Sequence, residues 1–235
     1  MAHDKIKRGA LVVVEGLDRA GKSSQCELLY RSLLDMNYKT EYIRFPDRST
    51  PIGKQIDSYL RGQSQLGDHS IHLLFSANRW EVAQSIQDDI AKGITVIVDR
   101  YSYSGAVYSA AKGNPNLSLH WAWQPEVGLP RPDLCLFLSI SPEEAAKRGG
   151  YGVERYETDS MQKRVRDLFL SLLDLPHNDE ICVIDAGRPV DEVAQDILEP
   201  VLECMKNVDS IGSLKKLAPW SFIPSGESSA IRIDK

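Results

Sequence analysis

The chain has 235 residues, of which 42% are apolar and 26% are charged, and its formal net charge is -5. This composition supplies one full hydrophobic core, so we expect a single globular domain. The acidic balance argues against a protein that coats nucleic acid, because such proteins need a basic surface to displace counterions from phosphates. Small anionic ligands need only local positive charge.

The four cysteines, Cys26, Cys135, Cys182 and Cys204, are far apart and form no Cys-x-x-Cys pair. This spacing argues against a zinc site or a compact disulfide framework. Residues 1–8 are charged and contain no apolar core of a signal peptide, and no stretch reaches the roughly 20 apolar residues that span a bilayer. We therefore expect a cytoplasmic protein with no membrane partner, with nuclear and mitochondrial pools left open.

Five short apolar runs alternate with segments of helical period, which is typical of parallel strands joined by helices. The runs are Ala10–Val14, Glu41–Phe45, Ile94–Val98, Leu134–Ile140 and Ile181–Ile184. The run Ile94–Val98 shows no polar alternation, as expected for a strand covered on both faces. The pattern predicts the α/β class.

Two helices are also indicated. Ser141-Pro142-Glu143-Glu144 supplies an N-cap, a proline at the first helical position and a capping-box glutamate, and we expect this helix to end at Gly149-Gly150. Residues 69–92 have the period of one long helix. From Pro219 the periodicity is lost, so we predict a domain over residues 1–218 and a partly disordered tail over residues 219–235.

Residues 16–23 read Gly-Leu-Asp-Arg-Ala-Gly-Lys-Ser and fit G-x-x-x-x-G-K-[ST], between a predicted strand and a predicted helix. The glycines let backbone N–H groups point at phosphate oxygens, and the following helix adds its positive end. Lys22 is predicted to reach the β- and γ-phosphates, and Ser23 to coordinate Mg²⁺. The sequence contains no Asn-Lys-x-Asp element for guanine, which favours ATP as the donor.

Charged residues follow the predicted strands, at the carboxyl ends where parallel sheets usually bind their ligands. A phosphoryl transfer must neutralise several negative charges in one dry pocket, which planar arginines do with bidentate geometry. Arg19, Arg48 and Arg100 are the candidates. Asp99 stands at the end of a predicted strand. In P-loop proteins this is the position of an acid that holds Mg²⁺ directly or through water. A simple salt bridge between Asp99 and Arg100 is the structural alternative.

Five segments together resemble the thymidylate kinase family. They are Asp18-Arg19 inside the phosphate loop, Phe45-Pro46-Asp47-Arg48, residues 74–80 (Leu-Phe-Ser-Ala-Asn-Arg-Trp), Asp99-Arg100-Tyr101 and the glycine-rich, charged residues 148–157. The resemblance implies a P-loop NTPase fold, a five-stranded parallel sheet flanked by helices, with a mobile lid over about residues 141–162. It also implies phosphoryl transfer from MgATP to dTMP, and the arginine in the phosphate loop is the eukaryotic arrangement.

The resemblance assigns catalytic roles to four residues. Arg19 would lie over the β- and γ-phosphates, and Arg100 would grip the acceptor phosphate. Asp18 would hold the 3′-hydroxyl of the acceptor sugar and help to order the metal shell. Lys22 completes the catalytic set, and Ser23 and Asp99 are the expected metal residues. Whether Arg155 in the lid shares this work is left open.

By the same resemblance, ATP is bound by the phosphate loop, by Arg148 stacking on the adenine, and by backbone groups of the loop after the last strand. The expected ATP residues are Gly16, Leu17, Asp18, Arg19, Ala20, Gly21, Lys22, Ser23, Ser24, Arg148, Ala186 and Arg188.

The acceptor base has its own candidates. Phe75 and Arg79 are four residues apart on one helical face, so the ring can stack on a pyrimidine while the guanidinium donates to it. The resemblance makes Tyr108 the ring that crowds the sugar C2′. The expected dTMP residues are Asp18, Phe45, Arg48, Phe75, Arg79, Arg100, Ser104, Gly105, Tyr108, Tyr156 and Gln162.

Two alternatives stay open at this point. One is a kinase of the same fold for another acceptor, such as dUMP, dCMP or a deoxynucleoside. The other is a non-catalytic nucleotide-binding partner protein, which the presence of Lys22, Ser23 and Asp99 argues against. The resemblance also implies a homodimer.

Overall fold

The computed structural model describes residues 7–148, 155–156, 158–173 and 181–219. Five parallel strands form one sheet in the order β2-β3-β1-β4-β5. They are β1 (Leu11–Gly16), β2 (Thr40–Arg44), β3 (Thr95–Asp99), β4 (Leu134–Ser139) and β5 (Ile181–Asp185). The predicted α/β class and all five predicted strands are confirmed, with small shifts at the ends.

Helices cover both faces of this sheet. They are α1 (Lys22–Asp35), α2 (Pro51–Leu60), α3 (Asp68–Trp80), α4 (Ala83–Ala91), α5 (Ser102–Ala110), α6 (Leu119–Trp123), α7 (Pro142–Lys147), α8 (Asp159–Leu173) and α9 (Val190–Ile211), with a 3₁₀ turn at Gln124–Glu126. Successive side chains of a strand point to opposite faces. Val12 and Val14 accordingly join a cluster with α1, α8 and α9, and Leu11 and Val13 join one with α4, α5 and α6.

The single helix predicted over residues 69–92 is wrong, because the structure contains α3 and α4 with a break at Glu81–Val82. Val82 leaves the helical conformation (φ -114°, ψ 3°). The Glu81 carboxylate accepts hydrogen bonds at 2.9 Å from Asn78 Nδ2 and at 2.9 Å from Thr50 Oγ1, next to the start of α2. These bonds hold the end of α3 against another element, and the chain turns there.

The break matters because the two helices bury their apolar sides in different places. Ile71 of α3 packs with α2 in a small cluster beside the sheet, whereas Ile86 and Ile90 of α4 pack on the sheet itself. A period of 3.6 residues that continues across two helices does not show that their axes differ.

Helix α7 begins as predicted, because Ser141 Oγ accepts a hydrogen bond from the Glu144 N–H at 3.1 Å. It ends at Lys147, and the predicted stop at Gly149-Gly150 lies outside the described residues. So do residues 151–154 and 157 of the predicted lid and residues 220–235 of the predicted tail. Within the part of the chain that the structure describes, we find no helix long and apolar enough to cross a membrane.

Candidate active site

A cleft of about 450 Å³ lies at the carboxyl ends of the strands. It forms there because β1 and β3 are neighbours, with Val14 in register with Asp99, so the loops that follow both strands meet. Most predicted site residues line this cleft. They are Asp18, Arg19, Gly21, Lys22, Ser23, Ser24, Phe45, Arg48, Phe75, Arg79, Arg100, Ser104, Gly105, Tyr108 and Tyr156.

The phosphate loop curls between β1 and α1. Arg19 (φ 67°) and Gly21 (φ 84°) adopt left-handed backbone conformations, and α1 begins directly afterwards at Lys22. Lys22 is buried and its Nζ donates to the Leu17 carbonyl oxygen at 2.5 Å. Burial, followed by the nearby charge of Arg100, lowers the pKa of Lys22 to about 8. A phosphate group in the loop would give this ammonium an anionic partner.

Ser23 and Asp99 meet at the start of α1. Ser23 Oγ donates to Asp99 Oδ2 at 2.5 Å, while Asp99 Oδ1 is buried without a hydrogen-bond partner. The orphaned oxygen and the hydroxyl fit Mg²⁺, which takes one or two protein oxygens and completes its shell with water and phosphate. The described residues contain no group of three or more acidic, histidine or cysteine side chains that could enclose a metal. A metal bound here would therefore take some of its ligands from the phosphates of the nucleotide.

Asp18 and Arg100 form an ion pair in the middle of the cleft, between Arg100 Nη2 and Asp18 Oδ1. Gln162 Nε2 donates to the other carboxylate oxygen, Asp18 Oδ2, at 2.6 Å. Arg100 Nη1 lies 3.5 Å from both Ser104 Oγ and Tyr108 Oη. Burial alone would raise the pKa of Asp18, but Arg100 and Lys22 outweigh it and the pKa is lowered. Asp18 is therefore held as a carboxylate between these partners.

The far end of the cleft is built from α2, α3 and the loop after β2. Phe75 and Arg79 of α3 line it, as their spacing predicts. Arg48 Nη1 pairs with Asp57 Oδ1 of α2 at 2.6 Å. Phe45, whose peptide bond to Pro46 is cis, packs on Tyr101 with ring centroids 6.0 Å apart.

The remaining predicted ATP residues lie behind the cleft wall or beside it. Leu17, Ala20 and Ala186 are buried. Arg148 connects the phosphate loop to the loop after β5, because it donates to the Arg19 carbonyl oxygen at 2.9 Å and to that of Ala186. The guanidinium of Arg188 instead forms ion pairs with Asp196 and Glu192 of α9.

Arg155 is bound to the end of α2. Its Nε donates to the Tyr59 carbonyl oxygen at 3.1 Å, and its guanidinium carbon lies 4.2 Å from the centre of the Tyr59 ring. Its Nη1 donates to Gln65 Oε1 at 3.2 Å. In this arrangement Arg155 ties the predicted lid to α2.

The sequence patterns missed Glu15, a buried acid that supports the site. Its Oε1 accepts hydrogen bonds from the N–H groups of Tyr101 at 2.9 Å and Ser104 at 3.0 Å, at the start of α5. Burial raises the pKa of Glu15 although these hydrogen bonds oppose the shift. The sequence did contain a signal for Glu15, because it is a charged residue near the end of an otherwise apolar strand.

Three further residues were missed. Tyr42 Oη donates to Asp99 Oδ2 at 3.2 Å, and Arg44 Nε lies 3.6 Å from the same oxygen. Their alternation along β2, which places both on one face, was a usable signal. Glu126 pairs with Arg79, and no motif marks it.

The family model described as thymidylate kinase matches residues 14–197. Thymidylate kinase of Arabidopsis thaliana is 50% identical over 199 residues, which is 85% of this chain and 73% of that protein. The Homo sapiens enzyme of that name is 47% identical over 192 residues, covering 81% of this chain and 89% of the relative.

A solved structure of thymidylate kinase from Candida albicans superposes with a TM-score of 0.78 at 39% identity, over 90% of this chain and 99% of that one. The match confirms the P-loop NTPase fold that the resemblance implied. With the family model spanning most of the sheet and the cleft, this chain belongs to the thymidylate kinase family.

Proposed function

We propose that this chain transfers the γ-phosphoryl group of MgATP to dTMP and releases dTDP and ADP. One observation carries the proposal: Asp18 of the phosphate loop forms an ion pair with Arg100, and the cleft that contains this pair is also lined by Lys22 and Ser23 of the same loop. A donor triphosphate in the loop and an acceptor phosphate on Arg100 would then be neighbours in this cleft. The membership of the chain in the thymidylate kinase family supports dTMP as the acceptor.

On the donor side, the loop amides and Lys22 bind the β- and γ-phosphates, and Arg19 lies over them. Ser23 and Asp99 would hold the Mg²⁺ ion, which would supply charge neutralisation at the phosphate oxygens. Arg148 lies between the phosphate loop and the loop after β5, where it can cover the adenine. The charges are in place before the reaction, so little reorganisation is needed during transfer.

On the acceptor side, Arg100 and Arg48 grip the phosphate of dTMP. Asp18, oriented by Gln162, accepts a hydrogen bond from the 3′-hydroxyl. Tyr108, whose ring lies 5.4 Å from the Arg100 guanidinium carbon, blocks a 2′-hydroxyl. Phe75 stacks on the pyrimidine and Arg79 donates to it. Tyr156 lines the same end of the cleft, and Ser104 and Gly105 allow close approach of the backbone.

The first test compares acceptors in a coupled ADP-release assay with MgATP. We expect kcat/KM to be highest with dTMP, lower with dUMP and lowest with UMP and thymidine. UMP adds the hydroxyl that Tyr108 excludes, and thymidine lacks the phosphate that Arg48 and Arg100 bind. Fastest turnover with thymidine or dCMP would show another acceptor, and no turnover with any of them would favour the non-catalytic alternative.

A second test removes the arginine of the phosphate loop. Arg19→Ala is expected to lower kcat by about 10³-fold, since arginines at the transferring phosphoryl group contribute about that much or more. The KM for dTMP should stay within about twofold, because Arg19 does not touch the base in this proposal. Arg31→Ala, on the exposed side of α1, serves as the control and should leave both constants unchanged. Full activity of Arg19→Ala would contradict the assignment.

A third test uses the lowered pKa of Lys22. Below pH 8 the ammonium is charged in the free protein, whereas above pH 8 ATP must bind with uptake of a proton. The dissociation constant for ATP should therefore rise about tenfold between pH 7 and pH 9, measured by titration calorimetry. Lys22→Arg keeps its charge throughout this range, so its affinity should be independent of pH. A wild-type affinity that does not change with pH would contradict the lowered pKa of Lys22.

We also propose a cytoplasmic location, as the sequence predicts.

We further propose that the chain forms a homodimer. Leu73 and Trp80 are 46% and 43% exposed and lie two turns apart on one side of α3, an apolar surface that a second copy would cover. Sedimentation equilibrium at micromolar concentration should give twice the chain mass. Leu73→Asp is expected to shift the protein toward the monomer, and a monomeric wild type would overturn the proposal.

A further inference from the structure

Arg79 and Glu126 form a buried, two-pronged ion pair. Arg79 Nε donates to Glu126 Oε2 at 2.6 Å, and Arg79 Nη2 donates to Glu126 Oε1 at 2.5 Å. The two side chains are 3% and 0% exposed. A buried pair of this kind seldom adds net stability, because removing both charges from water costs about as much as their attraction returns. Its presence at the wall of the cleft therefore points to another role.

The pair fixes the direction of the remaining donors of Arg79. Because Nε and one hydrogen of Nη2 are used by Glu126, the other Nη2 hydrogen and the Nη1 group point away from the carboxylate. The backbone of Gly105 also approaches the guanidinium closely, because a Cβ added at Gly105 would lie 2.4 Å from Arg79 Nη2. The position of the guanidinium is thus restricted both by a carboxylate and by a backbone that comes unusually close.

The carboxylate is itself held in place by α3. The carbonyl oxygen of Pro125 accepts hydrogen bonds from Ser76 Oγ at 3.1 Å and from Trp80 Nε1 at 2.8 Å. Ser76, Arg79 and Trp80 are three and four residues apart, so one face of α3 binds the whole 3₁₀ turn. The two hydrogen bonds to the Pro125 carbonyl oxygen and the two hydrogen bonds between Arg79 and Glu126 together prevent Glu126 from moving independently of α3.

A second layer supports the turn from behind. The Gly128 N–H donates to the Leu217 carbonyl oxygen at 2.9 Å, and the Leu217 N–H donates to that of Leu129 at 2.8 Å. Trp123 Nε1 donates to the Ala218 carbonyl oxygen at 2.9 Å. The chain after α9 therefore braces the turn that carries Glu126.

His72 and Tyr101 also face the pair, and both are uncharged near neutral pH. Burial, followed by the charge of Arg79, lowers the pKa of His72 to about 4. Burial raises the pKa of the Tyr101 hydroxyl. Neither group therefore competes with Glu126 for Arg79 around pH 7.

We infer that Glu126 is a positioning residue that holds Arg79 with a fixed row of donors toward the acceptor base, and so selects pyrimidines with a carbonyl oxygen over those with an amino group. This inference rests on the proposed function. A carbonyl at C4, as in thymine or uracil, accepts from this row, whereas the C4 amino group of cytosine would set donor against donor. Buried donors without acceptors are costly, so a fixed Arg79 rejects cytosine more strongly than a mobile one.

The experiment compares wild type with Glu126→Gln, which keeps the shape but replaces one accepting oxygen by an amide that opposes the guanidinium. We expect the KM for dTMP to rise about 10- to 100-fold while the KM for ATP stays within about twofold. The ratio of kcat/KM for dTMP to that for dCMP should fall about tenfold or more, because a loosened Arg79 no longer rejects the amino group. Gln124→Ala, an exposed change in the same turn, is the matched control and should alter none of these values.

Thermal unfolding separates positioning from folding. Glu126→Gln should keep the increase in Tm caused by ATP and lose most of the increase caused by dTMP. If Glu126→Gln does not fold, Glu126→Asp, which keeps the charge with a shorter side chain, should show an intermediate rise in the KM for dTMP alone. In either variant, equal losses for ATP and dTMP, or an unchanged ratio of dTMP to dCMP, would overturn the inference. A wild type that does not phosphorylate dTMP would instead overturn the proposed function.

Discussion

The parallel pairing of β1 with β3 is the constraint on which the site depends. It brings the loop that follows β1 and the acid that closes β3 to the same edge of the sheet, with Val14 opposite Asp99. Ser23 can then donate to Asp99, and Arg100 can reach Asp18. These contacts join segments far apart in the sequence. Any change that shifts the register of these strands would separate the donor and acceptor parts of the cleft.

Charge in the cleft is paired before a substrate enters. Asp18 is held by Arg100 and Gln162, Arg79 by Glu126 and Arg48 by Asp57. Pairing avoids the cost of unpaired buried charge and keeps the planar groups in one orientation. In the proposed reaction, the nucleotide phosphates would add anions beside cations that are already oriented. The Arg48–Asp57 and Asp18–Arg100 pairs are partly exposed and contribute little to stability, so their main effect is on geometry.

The far end of the cleft, where Phe75 and Arg79 lie, depends on elements that are distant in sequence from the phosphate loop. The break at Glu81–Val82 frees α3 from the sheet, so that it packs against α2 and α5 and turns Phe75 and Arg79 into the cleft. The turn at Gln124–Glu126 then binds that helix, and the chain after α9 braces the turn. The position of Arg79 is thus coupled to the packing of the chain after α9.

The sequence by itself determined the α/β class, the five strands, the nucleotide loop and the family, because these follow from local periodicity and from short motifs with a physical meaning. It also selected most residues that line the cleft, from Asp18 to Tyr156. Only the tertiary structure decided that α3 and α4 are separate, that Arg155 and Arg188 bind α2 and α9, and that Glu126 meets Arg79. These are contacts between residues distant in sequence, made by single side chains without a repeating spacing, so no local pattern encodes them.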